Sequence, residues 1–143
     1  MHTLDIADAE PVQSTDVSSR LGLAARLVAA AILAQTLFFK FTGAPEAVHI
    51  FTTLGVEPFG RIGLGVVELL TAIALLVPRT RALASLATVG LMVGAVGSHL
   101  GPLGIDVQGD GGSLFALALV PLAAGATATY LHRRELPLLG ERF

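Results

Sequence analysis

One acidic residue, Glu68, lies in the middle of a long apolar stretch. It falls six residues after the start and ten before the end of the apolar run 62–78. A carboxylate at that depth in hydrocarbon is costly and needs a cationic partner, a proton or a water-filled cavity. Arg61 and Thr71 share its helix face and are candidate ligand-binding residues. We interpret Glu68 as a proton-carrying or ligand-anchoring carboxylate, with a purely structural ion pair as the alternative.

Two basic residues in the preceding apolar run, Arg26 and Lys40, are candidate partners of Glu68. They are fourteen residues apart, close to four helical turns, so they share a face at different depths. By helical rise, Arg26 lies about 7 Å to one side of Glu68 and Lys40 about 9 Å to the other, both near the limit of a long side chain. We expect either to contact Glu68 or a ligand. Extension to the headgroup region is favoured for Lys40, and an ion pair inside the bundle for Arg26.

Two histidines fall in the segments that connect the apolar runs. His99 ends the third run, and His49 lies between the first and the second. With the acidic residues of the same segments they could bind a polar headgroup, relay protons to Glu68, or ligate a metal or haem. The alternative is that these residues are polar only because the connecting segments are exposed to water. No HxxxH or HExxH spacing is present, so the sequence predicts no metal site and does not favour haem.

Composition excludes several classes of protein. The chain has 143 residues, of which 53% are hydrophobic and 14% charged, and its mean hydropathy is +0.74. These values lie outside the soluble range and point to a lipid bilayer. The absence of cysteine excludes disulfides, thiolate zinc sites and cysteine-bound iron–sulfur clusters, so a redox role requires a bound cofactor. A net charge of −2 gives no basic stripe for nucleic acid.

Four apolar runs are long enough to cross a bilayer as helices. They cover residues 21–39, 62–78, 82–98 and 114–131. Two of them are apolar around the whole circumference, unlike the helices of a soluble bundle. Between the first two, Pro45 and the apolar spacing that follows it predict a short interfacial helix. The predicted fold is therefore an all-α integral membrane bundle of four transmembrane helices with one interfacial helix, and its membrane domain covers residues 21–131.

Basic residues predict the orientation of this domain. Lys and Arg near the ends of membrane helices tend to stay in the cytoplasm. Seven lie on the side of the two termini, and two, Lys40 and Arg61, lie on the other. We expect a disordered acidic cytoplasmic tail at residues 1–20 and a cytoplasmic C-terminal tail at residues 132–143. The composition, rich in Arg, Ala, Gly and Leu, is compatible with a GC-rich bacterial source, which would place the chain in an inner membrane.

Several segments in this order also resemble a known family. They are Arg26, FKFTG at 39–43, LG at 54–55, GVVELL at 65–70, PR at 78–79 and SHL at 98–100. The pattern is similar to the DoxX-like family of small four-helix bacterial membrane proteins, over about residues 20–131. The resemblance implies a four-span bundle with Arg26, Lys40, Glu68 and His99 as its polar positions. A founding relative of that family is similar to a subunit of a thiosulfate:quinone oxidoreductase, which implies a redox-associated role.

Three functions remain open at this point. The first is a redox-associated module that binds a quinone-like or other lipophilic molecule, with Glu68 and His99 in proton transfer. In that hypothesis the ligand contacts come from Arg26, Lys40, Arg61, Thr71 and His49. The second is a non-catalytic subunit or assembly partner, in a homo-oligomer or a larger membrane complex. The third is a cofactor-free membrane enzyme that uses acid–base catalysis on a lipophilic substrate.

Overall fold

Five α-helices account for most of the structure, a computed structural model that describes residues 12–137. They are α1 (Val12–Thr42), α2 (Pro45–Thr53), α3 (Phe59–Leu76), α4 (Arg81–Leu100) and α5 (Ser113–Leu131), followed by a 3₁₀ turn (Arg133–Glu135). The described residues contain no β-strand. The short helix predicted between the first two spans is α2, and Pro45 is its first residue. The all-α prediction is confirmed.

Four of these helices are long and apolar enough to span a membrane. The candidate spans are Asp16–Thr42, Phe59–Leu76, Arg81–Leu100 and Ser113–Leu131. Large apolar side chains such as Phe38, Leu70 and Leu83 are exposed on their outer faces, where acyl chains of a bilayer would cover them. The protein is therefore a multi-pass membrane protein, as its hydropathy predicts.

Helix α1 begins earlier than the apolar run that predicts it. We expected the first span to start at residue 21 after a disordered tail, but α1 starts at Val12. Residues 12–20 contain neither Gly nor Pro, and extending an existing helix adds a hydrogen bond for each residue that joins it. An exposed ion pair between Asp16 and Arg20, 3.0 Å long, also joins successive turns. The rest of the predicted tail, residues 1–11, lies outside the described residues.

The C-terminal segment packs onto the bundle as far as it is described. His132 and Leu136 are buried on either side of the 3₁₀ turn. Because this turn continues directly from α5, its side chains remain within reach of the ends of α1 and α4. The predicted tail therefore begins as a docked segment, and residues 138–143 lie outside the described range.

The four long helices form a closed ring in the order α1, α3, α4, α5. Each contacts its two neighbours in that ring, and α3 and α4 pack least extensively of the four neighbouring pairs. The turn at residues 77–80 joins α3 to α4, and the Thr80 hydroxyl donates to the carbonyl of Ala74 over 2.8 Å. We call the end that holds this turn and the 3₁₀ turn the terminal end. The opposite end, which carries α2 and the segment 101–112, is the loop end.

Small residues allow the helices to approach closely in the core. Ala29 and Leu33 of α1 pack with Leu75 of α3 in a buried cluster. Between α4 and α5 the contact is tighter still, because an added Cβ at Gly125 would lie 3.1 Å from Cγ2 of Thr88. Glycine at this position therefore sets the spacing of α4 and α5.

We expect Gly125→Val to destabilise the protein by about 1–3 kcal/mol, because the added methyl groups must push α5 away from Thr88. The measurement is thermal unfolding in mild detergent. Gly97→Val is the matched control, since an added Cβ at that exposed position of α4 meets no atom within 4 Å. Equal effects of the two substitutions would contradict close packing at Gly125.

Candidate functional site

A cavity of about 410 Å³ lies in the loop-end half of the bundle. All four long helices contribute to its walls, and Ile50 and Phe51 of α2 line it as well, together with Leu54 just after α2. Its volume is within the usual range for small-molecule pockets, about 300–1,000 Å³. Most of the lining is apolar. Its polar side chains are Thr36, Lys40, Glu68, Ser98 and His99.

The central polar contact in this cavity is an ion pair between α1 and α3. Nζ of Lys40 lies 2.9 Å from Oε2 of Glu68, and the two side chains are 13% and 5% exposed. The Thr36 hydroxyl lies 3.2 Å from the same carboxylate oxygen and 2.9 Å from the carbonyl of Leu33, so these two acceptors share its proton. The sequence favours extension of Lys40 to the headgroup region, but the side chain contacts Glu68 instead. Its charge compensates the buried carboxylate.

His99 lines the same cavity from α4. Its Nδ1 lies 3.0 Å from the carbonyl oxygen of Gly104, and because a carbonyl only accepts hydrogen bonds, Nδ1 must carry the proton. The ring also packs edge-on against Phe115, with 5.9 Å between the ring centroids. These contacts fix the orientation of the imidazole and leave Nε2 as the nitrogen available to a ligand.

Arg61 supports the site from outside the cavity. It forms an ion pair with Glu57, 2.8 Å between Nη2 and Oε1, and its Nη1 donates to the main-chain carbonyl of Lys40. The close reversal of the chain beside it uses Gly43, whose φ is +66°. Arg61 therefore ties the last turn of α1 to the first turn of α3 and positions Lys40. We had expected it to contact a ligand, but it does not line the cavity.

Three other predicted site residues also lie away from the cavity. Arg26 is buried towards the terminal end, where Nη1 donates to the carbonyl of Leu75 over 2.7 Å. Thr71 donates to the carbonyl of its own helix at Val67 over 2.8 Å. His49 is exposed on α2. The structure therefore brings Lys40, Glu68 and His99 together in the cavity, and the other four predicted residues do not line it.

Sequence reasoning missed two polar residues of the cavity. Thr36 lies one turn before Lys40 on the same helix face, so the i,i+4 spacing could have identified it. Ser98 lines the cavity next to His99, but its hydroxyl donates to the carbonyl of Gly94 over 2.9 Å. Ser98 is thereby satisfied within α4, whereas Thr36 contributes to the ion pair.

A second polar cluster joins α4 to the 3₁₀ turn at the terminal end. Arg81 binds both carboxylate oxygens of Glu135, at 2.9 and 2.6 Å, and His132 Nδ1 lies 3.2 Å from Oε1 of Glu135. Hydrogen bonds from Arg81 hold the pKa of Glu135 below its ordinary value. Burial, and then the charge of Arg81, lower the pKa of His132. We therefore expect His132 to be neutral at pH 7.

The Lys40–Glu68 pair generates a prediction about stability. Lys40→Met or Glu68→Leu alone leaves a buried charge without its partner, which costs about 3–5 kcal/mol. The double variant removes both charges, so we expect it to unfold at a higher temperature than either single variant. Thermal unfolding of the three variants and the wild-type protein in mild detergent measures this coupling. Additive losses would contradict a direct interaction.

The terminal-end cluster generates a prediction about pH. The pKa of His132 is lowered from 6.5 in the folded protein, so as the pH falls below that value the unfolded chain binds a proton that the folded chain resists, and stability decreases. The lowered pKa of Glu135 acts in the same direction at more acidic pH. Unfolding temperatures between pH about 7.5 and 5.5 should therefore fall less in His132→Gln than in the wild-type protein. His49→Gln, which removes an exposed histidine, should leave the wild-type slope unchanged, and a change there would contradict the assignment to His132.

Comparison with known protein families gives a match over much of the chain. A family model described as the DoxX-like family matches residues 24–105, which extend from α1 to the segment just after α4 and include Lys40, Glu68 and His99. No curated protein and no solved structure matches the chain significantly. Since the matched residues make up more than half of the chain, the protein belongs to the DoxX-like family.

Proposed function

We propose that this protein binds an uncharged lipophilic molecule with a polar end, such as a quinone, in its loop-end cavity, as a redox-associated module of a bacterial inner membrane. The observation that carries this proposal is the compensated Lys40–Glu68 pair within apolar walls, with His99 in the same cavity. Arg26, which we had considered as a ligand contact, has no place in this arrangement, because it lies near the other end of the bundle.

The charges of the cavity favour an uncharged ligand. An anionic headgroup would compete with Glu68 for Lys40, and a cationic one would compete with Lys40 for Glu68. Either would leave a buried charge without its partner, at a cost of several kcal/mol. A carbonyl or hydroxyl group avoids this cost, since the ammonium group of Lys40 has three donor hydrogens and can serve Glu68 and a ligand oxygen together.

The same residues suit a ligand that exchanges protons. A quinone takes up protons at its oxygens when it is reduced, and Glu68 and His99 both line the space that such oxygens would occupy. An imidazole can accept a proton at one ring nitrogen while it donates from the other, and a carboxylate oxygen can accept a proton. We assign Glu68 and His99 to proton transfer and Lys40 to binding the ligand oxygen.

The distribution of basic residues supports an orientation for this chemistry. Arg20, Arg79, Arg81, Arg133 and Arg134 all lie at the terminal end. Because arginines near span ends favour the cytoplasm, we place both termini there. The cavity and α2 then lie towards the outer side of the membrane.

The test is ligand-dependent protection against unfolding, because a ligand that binds only the folded state raises the unfolding temperature. We expect menaquinone, in mild detergent, to stabilise the wild-type protein. Glu68→Gln should respond much less, relative to its own ligand-free value. Squalene, which has an isoprenoid chain but no carbonyl, should stabilise neither protein.

Glu135→Gln is the matched control, since it removes a paired carboxylate at the opposite end of the bundle. It should keep the wild-type response to menaquinone. The absence of any effect of menaquinone and ubiquinone on the wild-type protein would refute quinone binding. An undiminished response in Glu68→Gln would remove Glu68 from the site.

A further inference from the structure

We infer that the main cavity opens sideways, towards the lipid, between α3 and α4, at Gly90 and Gly94 of α4. The ligand enters from the bilayer through this opening, and its apolar tail stays there. The ligand class is then a long-tailed amphiphile whose polar end reaches Lys40 and Glu68. This inference rests on the proposed function and adds the access route and the requirement for a tail.

Apolar side chains cover the loop end of the cavity, so entry from the side is the easier route for a ligand. Ile50 and Phe51 of α2, with Leu54 just after it, line the cavity at this end, and Leu103 joins them from the segment after α4. Phe51 is itself buried. A ligand arriving along the bundle axis would have to displace these apolar side chains, whereas a lateral opening requires no such displacement.

The geometry of the α3–α4 pair provides that opening. These two helices pack less extensively than the other neighbouring pairs of the ring. Gly90 and Gly94 line the cavity and are exposed on the surface of the bundle at the same time. A Cβ added at either glycine would meet no atom within 4 Å. The cavity therefore reaches the lipid-facing surface where α4 has no side chains.

The chemistry of this opening suits a hydrocarbon tail. Leu64 of α3 is half-buried and lines the cavity together with Leu91 and Gly94 of α4, so the walls here are apolar. A tail placed against them would bury apolar surface, and its outer part would remain in the hydrocarbon of the membrane. Polar and apolar parts of one molecule would thus meet matching surroundings.

A second, smaller cavity offers the alternative route and fits a tail less well. It has a volume of about 160 Å³ and shares Thr36, Lys40 and Phe51 with the main cavity. On its outer side it is lined by Gln35 and Glu46, both of which are exposed. The rest of its lining is apolar, so polarity alone does not decide between the two routes. Its volume is less than half that of the main cavity, and we assign the tail to the glycine-lined opening because α4 places no side chain across it.

The experiment compares two quinones that differ in their tails. Menaquinone carries a long isoprenoid tail and menadione has the same ring system without it. The chain contains no tryptophan, so Phe115→Trp, next to His99, supplies a single fluorophore that a bound quinone quenches. Titration in nanodiscs then gives an apparent dissociation constant for each quinone.

Gly94→Leu places a side chain at the opening, where an added Cβ meets no atom within 4 Å. In the Phe115→Trp background we expect it to weaken menaquinone binding by about tenfold or more and to change menadione binding by less than about twofold. Gly90→Leu is a second variant on the same opening and should act in the same direction.

Gly97→Leu and Gln35→Phe are the controls. Gly97 is an exposed glycine of α4 that does not line the cavity, and Gln35 lies at the smaller cavity. Neither substitution should change the binding of either quinone by more than about twofold. Selective loss of menaquinone in Gln35→Phe would overturn the inference in favour of the other route.

Equal effects of Gly94→Leu on both quinones, or no effect on either, would also overturn the inference. In that case the binding of both quinones to the Phe115→Trp protein would leave the proposed function intact. If neither quinone quenches that protein, the inference fails together with the proposal of quinone binding. The two failures are therefore distinguishable.

Discussion

The charge of Glu68 is the constraint on which the loop-end half of this bundle depends. A carboxylate near the middle of a membrane helix is stable only with a partner or a proton. Lys40 supplies the partner from α1, 2.9 Å away, and Arg61 supplies the support, because it binds both Glu57 and the main-chain carbonyl of Lys40. The end of α1 is thereby held to α3 by one ion pair and by the hydrogen bond from Arg61 to the Lys40 carbonyl, and α2 folds over them.

The ion pair at the terminal end, between Arg81 and Glu135, has a different role. Arg81 and Glu135 are 31% and 39% exposed, so solvent screens their attraction, and such pairs contribute little to stability. Here the helices close around Ala29, Leu33 and Leu75, and the ion pair mainly docks the 3₁₀ turn. The terminal half of the bundle is therefore mostly packed core, whereas the loop-end half contains a cavity with the buried Lys40–Glu68 pair.

Hydropathy predicted the features that depend on long apolar runs. It did not predict which side chains meet, because that depends on how the helices pack against one another. The four spans, α2 and the central position of Glu68 follow from single segments. The partner of Glu68 does not, because helical rise alone leaves Arg26 and Lys40 at similar distances, and the choice depends on how α1 and α3 pack. The ion pair of Arg61 could have been predicted from the sequence, because Glu57 precedes it by one helical turn. The beginning of α1 was placed too late because hydropathy indicates the membrane boundary and not the end of the helix.

Looser packing between two helices of a four-helix ring is compatible with a stable fold because the other three pairs are extensively packed. Gly125 brings α5 against Thr88 of α4, and the Lys40–Glu68 pair with the hydrogen bond from Arg61 holds α1 to α3. These contacts fix the position of every helix without help from the α3–α4 contact at the loop end. Glycines of α4 and α5 have opposite effects according to their surroundings: Gly125 of α5 packs against Thr88, whereas Gly90 and Gly94 of α4 face no side chain. The same small residue thus brings two helices together at one position and leaves the surface of α4 uncovered at another.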